Sequence, residues 1–150
     1  MNEAVLKAFE TFKPRARDAW MMDDAQYRER LERQIVLFPC YALPTSKAAT
    51  CLSGLVHDMG VGELWMLTGE GFERDTRTIL KLSRRLIAYL YGALKLRRLQ
   101  MYIAVGDREG QIWAKHTGFR FEAGPLKRLG RRGDDLEIWI YEPELKGEKR

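Results

Sequence analysis

Few side chains in this sequence carry reactive chemistry. Cys40 and Cys51 are its cysteines, and His57 and His116 its histidines. Two cysteines do not make a disulfide framework, and the four residues fit no zinc-site spacing. A nucleophilic cysteine would need His57 or His116 as its base, and neither spacing is diagnostic of such a pair. Both thiols are expected to be small buried hydrophobes. The remaining chemistry is charge. Lysine and arginine number 26 against 21 acidic residues, a net charge of +5. The surplus gathers in Arg77, Lys81, Arg84 and Arg85, in the run Lys127-Arg128-Leu129-Gly130-Arg131-Arg132, and at Lys149-Arg150. Clusters of this kind hold anions or form an ordinary solvated face. Nucleic-acid binding through the 127–132 run and the Arg77–Arg85 cluster is one expectation, against which the run has no aromatic side chain for base stacking.

These residues must be positioned by a chain of 150 residues, which predicts one domain over 1–150. A hydrophobic share of 45% against 31% charged argues for a packed core and against disorder. No apolar run approaches the ~20 residues that span a bilayer. The opening residues are charged and amphipathic rather than leader-like, so reduced thiols in a cytosol are expected.

The domain is read in four parts: a helical region over 1–33, strands and a hairpin over 34–73, a core over 74–123, and a basic loop, last strand and charged tail over 124–150. Val5, Leu6, Phe9 and Phe12 fall at helical spacing before Pro14. A second helix is predicted from Ala16 to Arg33, with Trp20, Met21, Tyr27 and Leu31 on one side. Ile35-Val36-Leu37-Phe38 reads as a strand. Strands at 49–56 and 63–68 flank a turn at Asp58-Met59-Gly60-Val61-Gly62 and predict a hairpin. The unbroken apolar run Leu64–Leu67 predicts a central strand covered on both faces.

The strongest helix signal runs from Asp75 to Leu94, with Asp75 or Thr76 as its cap. A strand at 99–105 follows, and strand, helix, strand at this spacing predicts a parallel crossover. Glu109–His116 reads as a short helix closed by Gly118, with Asp107 able to cap its start. Alternating strands follow at 119–123 and 136–141, joined by the basic loop.

This order, above all residues 63 to 141, resembles the GNAT family of N-acetyltransferases. The resemblance is carried by Tyr102-Ile103-Ala104-Val105-Gly106-Asp107 followed by Ile112-Trp113-Ala114-Lys115-His116-Thr117-Gly118-Phe119-Arg120. It implies an α+β fold of three layers, with a mixed, mostly antiparallel sheet, a central splayed pair of parallel strands and flanking helices. Within that family the chain is similar to short phage-encoded acyltransferase-like proteins of podoviruses, some of them internal virion proteins. The shared features are the Trp65 strand, the long basic helix after it and the His-Thr-Gly-Phe region.

The resemblance implies acetyl-CoA as cofactor, wedged between strands 63–68 and 99–105. A backbone donor near Leu67 or Thr68 would meet the thioester carbonyl. The turn Gly69-Glu70-Gly71 with Arg74, Arg77 and Lys81 would meet the pyrophosphate, and Asp107 stands where the family often has Asn. The acceptor implied is a small amine or a protein lysine, with Glu63, or else His57, as general base and His116 as general acid. Two departures stand out. The glycines come early in the turn, among Glu70, Glu73 and Asp75, and Ala114 replaces the tyrosine that often serves as the acid. A non-catalytic derivative is therefore the alternative expectation: a virion component or host-interaction protein, in the host cytoplasm or packaged in the particle. In it the basic loop would draw in an acidic partner electrostatically.

Overall fold

A computed structural model describes residues 2–143 of the chain. The Lys149-Arg150 cluster lies outside the described residues. The elements in chain order are α1 (Glu3–Glu10), α2 (Ala19–Asp23), α3 (Ala25–Leu37), β1 (Cys40–Leu43), β2 (Cys51–Asp58), β3 (Val61–Thr68), α4 (Phe72–Ala93), β4 (Arg98–Ala104), α5 (Arg108–His116), β5 (Phe119–Leu126) and β6 (Leu136–Tyr141). The strands form one six-stranded mixed sheet in the order β1-β2-β3-β4-β6-β5. β3 and β4 are parallel, as the strand-helix-strand spacing predicted, and their ladder spans three pairs, ending at Glu63 opposite Gln100. β1–β2, β4–β6 and β5–β6 are antiparallel.

The chain divides into two compact units. The first holds residues up to Asp58 together with Leu64–Leu82. Its core gathers Val5, Phe9 and Phe12 from the N-terminal stretch with Met22, Leu31, Ile35, Leu52 and Leu67. The predicted Ala16–Arg33 helix is in fact two helices. Asp24 takes extended backbone and accepts a hydrogen bond from Tyr27 N at 3.1 Å, so it ends one helix and caps the next. The predicted strand at 35–38 is the end of α3. Leu31 and Ile35, one helical turn apart, are both buried, while Val36 and Leu37 are exposed. A helical stripe thus outweighs the β-branched run. Asn2 Nδ2 donates to Ile35 O and Phe38 O, each at 2.6 Å, and satisfies the open carbonyls there. Within β3, Leu67 is fully buried, but Leu64, Trp65 and Met66 are only partly covered, which corrects the expectation of cover on both faces. Trp65 lies against Gly54, where a Cβ would come within 2.6 Å of the indole.

The second unit holds Met59–Glu63 and the chain from Ser83 onward. β6 pairs with β4 over five residue pairs and with β5 along its other edge. Tyr141 packs against Tyr91 and Phe119, with ring centroids 5.2 and 5.4 Å apart. Gly118 has φ +99, the left-handed conformation that ends α5 as its sequence predicted. β5 runs on to Leu126, so the first residues assigned to the basic loop belong to a strand.

Candidate functional site

Two features of the first unit bear on an acyl-CoA site: the end of β3 and the turn into α4. Along a strand, successive residues direct their backbone groups to opposite edges. Gly69 N donates to Thr50 O at 2.8 Å, at the first residue before β2. The Gly69 edge, and by alternation the Leu67 edge, therefore faces β2. The backbone of Thr68 faces the other way. Of the two expected thioester donors, Leu67 is thus turned toward β2, and Thr68 alone is turned outward. By the same alternation Leu64 and Met66 also present their N–H groups to the outer edge.

Thr68 is already paired on that edge. Its N–H donates to Asp18 Oδ2 at 2.8 Å, its hydroxyl also donates to Asp18 Oδ2, and its carbonyl accepts from Arg15 N at 3.0 Å. Arg15 Nε donates to Thr68 Oγ1 at 2.8 Å. One residue on, Pro14 bridges Gly69 in antiparallel fashion, and Glu70 N donates to Lys13 O at 2.8 Å. Residues 13–18 thus lie along the end of β3 like a short added strand. Gly69, expected to face a phosphate, has another role. A Cβ there would come within 2.6 Å of Phe12 and 3.0 Å of Lys13 O, so the glycine lets this segment approach.

α4 starts at Phe72, so Asp75 and Thr76 are inside it rather than at its cap. Thr76 Oγ1 donates back to Phe72 O, and Asp75 accepts from Thr50 Oγ1 at 2.9 Å and from Arg74 Nη2 at 3.2 Å. Gly71, with φ +88, makes the turn. Phe72 N donates to Gly69 O and Arg74 N to Gly71 O. Glu73 is held below its usual carboxylate range by a hydrogen bond from its own backbone N–H and by Arg15, which lies 2.9 Å away. Asp75 is held low by Arg74 first and then by the Thr50 hydroxyl. The helix N-terminus, where partial positive charge favours an anion, thus carries two ionised carboxylates of its own. Two of its first amides, Phe72 N and Arg74 N, are bonded within the turn, and the two carboxylates oppose the approach of a pyrophosphate. Of the expected cations, Arg74 is paired with Asp75, while Arg77 and Lys81 are exposed on α4.

In the second unit, Glu63 is half-buried on β3 beside Gln100 of β4. Asp107 caps α5, accepting from Gly110 N at 3.0 Å. Gly110 makes room for it, since a Cβ there would lie 2.5 Å from Asp107 Oδ2. His116 ends the same helix, exposed, with its carbonyl accepting from Arg84 Nε at 2.5 Å. Asp107 and His116 are therefore about 13 Å apart along the helix axis, at ~1.5 Å rise per residue, and serve different places. Ala114 is fully buried and cannot stand in for the tyrosine acid. His57, in the first unit, packs edge-on against Phe38 at 5.8 Å.

Both cysteines are buried and free, as expected. Burial pushes the Cys40 thiol up to about 11 and raises that of Cys51 further, so neither is a nucleophile at neutral pH. Among the described residues no cluster could hold a metal ion, and no helix is long and apolar enough to cross a membrane. The residues that sequence reasoning missed are Arg15, Asp18 and Thr50. The signal was a polar run, Arg15-Ala16-Arg17-Asp18, directly after a proline, but nothing local shows that Asp18 is buried.

No known family profile matches the chain, and no curated protein matches it in sequence. Its three-dimensional likeness is to acetyltransferases. A GNAT-family acetyltransferase from Bacillus anthracis matches with a TM-score of 0.65 at 12% identity, over 90% of this chain and 89% of that one. A Bacillus subtilis acetyltransferase in complex with CoA matches at 0.61 and 10% identity, over 80% and 86%. A chimeric spermidine N-acetyltransferase from Vibrio cholerae matches at 0.59 and 15% identity, over 79% and 75%. With its parallel β3–α4–β4 crossover inside a mixed six-stranded sheet, the chain has the fold of the GNAT acetyltransferases.

Proposed function

We propose that the chain is an acyl-CoA-dependent N-acyltransferase acting on a small amine or a protein lysine. The observation that supports this reading is the fold, shared with acetyltransferases that include one in complex with CoA. In this reading Glu63 takes a proton from the attacking amine and His116 is the acid for the departing thiol. Most of the rate would come from holding the two reactants together. Arg77 and Lys81 supply exposed positive charge for an anionic cofactor. The basic loop Lys127–Arg132 draws in an acidic acceptor or partner.

A second reading is favoured by one specific observation: the outward N–H and C=O of Thr68 are both bonded from within the chain. On it the protein is a phage-encoded derivative of the fold that works by binding, as a virion or host-interaction component in the host cytoplasm or the particle. Calorimetry with acetyl-CoA, together with thiol release in the presence of spermidine or a lysine peptide, separates the two. Heat and thiol release support the first. Absence of both, with the protein found in purified particles or in a host-protein complex, supports the second.

A further inference from the structure

The segment from Lys13 to Asp18 has no role in the acyltransferase reading, yet it is bonded closely to the end of β3. Four backbone or side-chain bonds join it to Thr68, and two more contacts join it to Gly69 and Glu70. Asp18 is 5% exposed and Thr68 5%, so the two bonds between them are closed to water. Arg15 extends the hold to α4, with its guanidinium 4.6 Å from the Phe72 ring centre and 2.9 Å from Glu73. The edge it occupies is the one turned away from β2. An extended ligand arm that starts at the head of α4 and pairs with Met66 and Leu64 must pass Thr68 on that same edge. Both backbone groups of Thr68 are already taken there.

We propose that Lys13–Asp18 is an autoinhibitory strand that closes the outer edge of β3, with Asp18 as its latch. The proposal rests on the acyl-CoA reading and adds a regulation to it. The edge accepts an acyl-CoA arm only in the fraction of molecules whose strand has lifted, and the apparent affinity falls by that fraction. Gly69 supports the assignment independently, because its missing side chain makes room for Phe12 and the Lys13 carbonyl.

The test compares the full chain with two variants: Asp18→Asn, which weakens the latch, and Arg15→Pro, which removes the N–H bonded to Thr68. Exchange of the Thr68 amide with deuterium is followed by NMR, and acetyl-CoA binding by calorimetry. The wild-type Thr68 amide is expected to exchange slowly, and faster in both variants, whose circular dichroism stays native. Acetyl-CoA should bind the variants at least about tenfold more tightly than the wild type, as expected when a minor open state becomes common. Rapid exchange of Thr68 in the wild type overturns the proposal. So does equal affinity in all three proteins, or no binding by any of them, since opening the edge would then admit nothing. The acyltransferase reading is judged separately, by thiol release from the wild type at millimolar acetyl-CoA. Should Arg15→Pro fail to fold, Asp18→Asn carries the comparison.

Discussion

Helix α5 starts where its own sequence says it should, and helix α4 starts three residues before the predicted Asp75 cap, at Phe72. Both begin among carboxylates. At α5 the carboxylate belongs to Asp107 and bonds an amide three residues on, Gly110. At α4 the carboxylate of Glu73 is held by Arg15, far along the chain, and that of Asp75 by its neighbour Arg74 and by the distant Thr50. The α5 start is a local device that any sequence window around Asp107 contains. The α4 start is a meeting of three segments, and its meaning appears only once the strand 13–18 is laid on β3.

If that contrast is right, breaking the distant network costs more than breaking the local cap. Asp18→Ala leaves the Thr68 N–H buried without a partner and removes a charged acceptor from its hydroxyl. It should lower the unfolding free energy by ~3 kcal/mol, read from urea melts at neutral pH. Next comes Gly69→Ala, whose new methyl meets the Phe12 ring and a backbone carbonyl. Overpacking of that kind costs about 2 kcal/mol. Asp107→Ala should cost only ~1 kcal/mol, the usual value of a lost helix cap. Should Asp107→Ala prove the most damaging of the three, α4 and α5 would start for the same local reason and the contrast would fall.

Legibility follows the same division. The α5 cap, the Gly118 stop, the parallel crossover and the last strand all rest on residues close in sequence, and each is where the sequence puts it. The failures are non-local. Residues 35–38 look like a strand because Ile and Val favour one, but Ile35 continues the helical stripe of Leu31, and Asn2 closes the helix from 33 and 36 residues away. Gly69 and Gly71 look like a phosphate turn because glycine is all that a sequence shows there. What the glycines make room for, the Lys13 carbonyl and the Thr50 methyl, is set by tertiary packing. Asp18 was invisible for a related reason. A carboxylate beside two arginines reads as surface, and only the fold buries it.

The smallest effect is a matter of pH, and it bears on whether the carboxylates at α4 belong to the native structure or merely sit on it. Glu73 and Asp75 have ordinary values of 4.5 and 3.8, and both are lowered in the folded protein. A carboxylate lowered on folding binds fewer protons in the native state than in the unfolded chain. Its contribution is therefore complete above the ordinary value and is lost as pH falls through the lower, folded one. The loss begins below about pH 4.5 and deepens below 3.8. Glu122, lowered by Arg98, and Asp135, lowered by the Arg128 amide, add to the same acid limb. Asp75→Asn removes one member while leaving an oxygen for the Thr50 hydroxyl. Its unfolding free energy should fall less than that of the wild type between neutral pH and pH ~3, a modest difference because one of several lowered carboxylates is removed. Parallel acid limbs in the two proteins would mean that Asp75 is as ionisable unfolded as folded. The network joining Thr50 to α4 would then hold by packing alone.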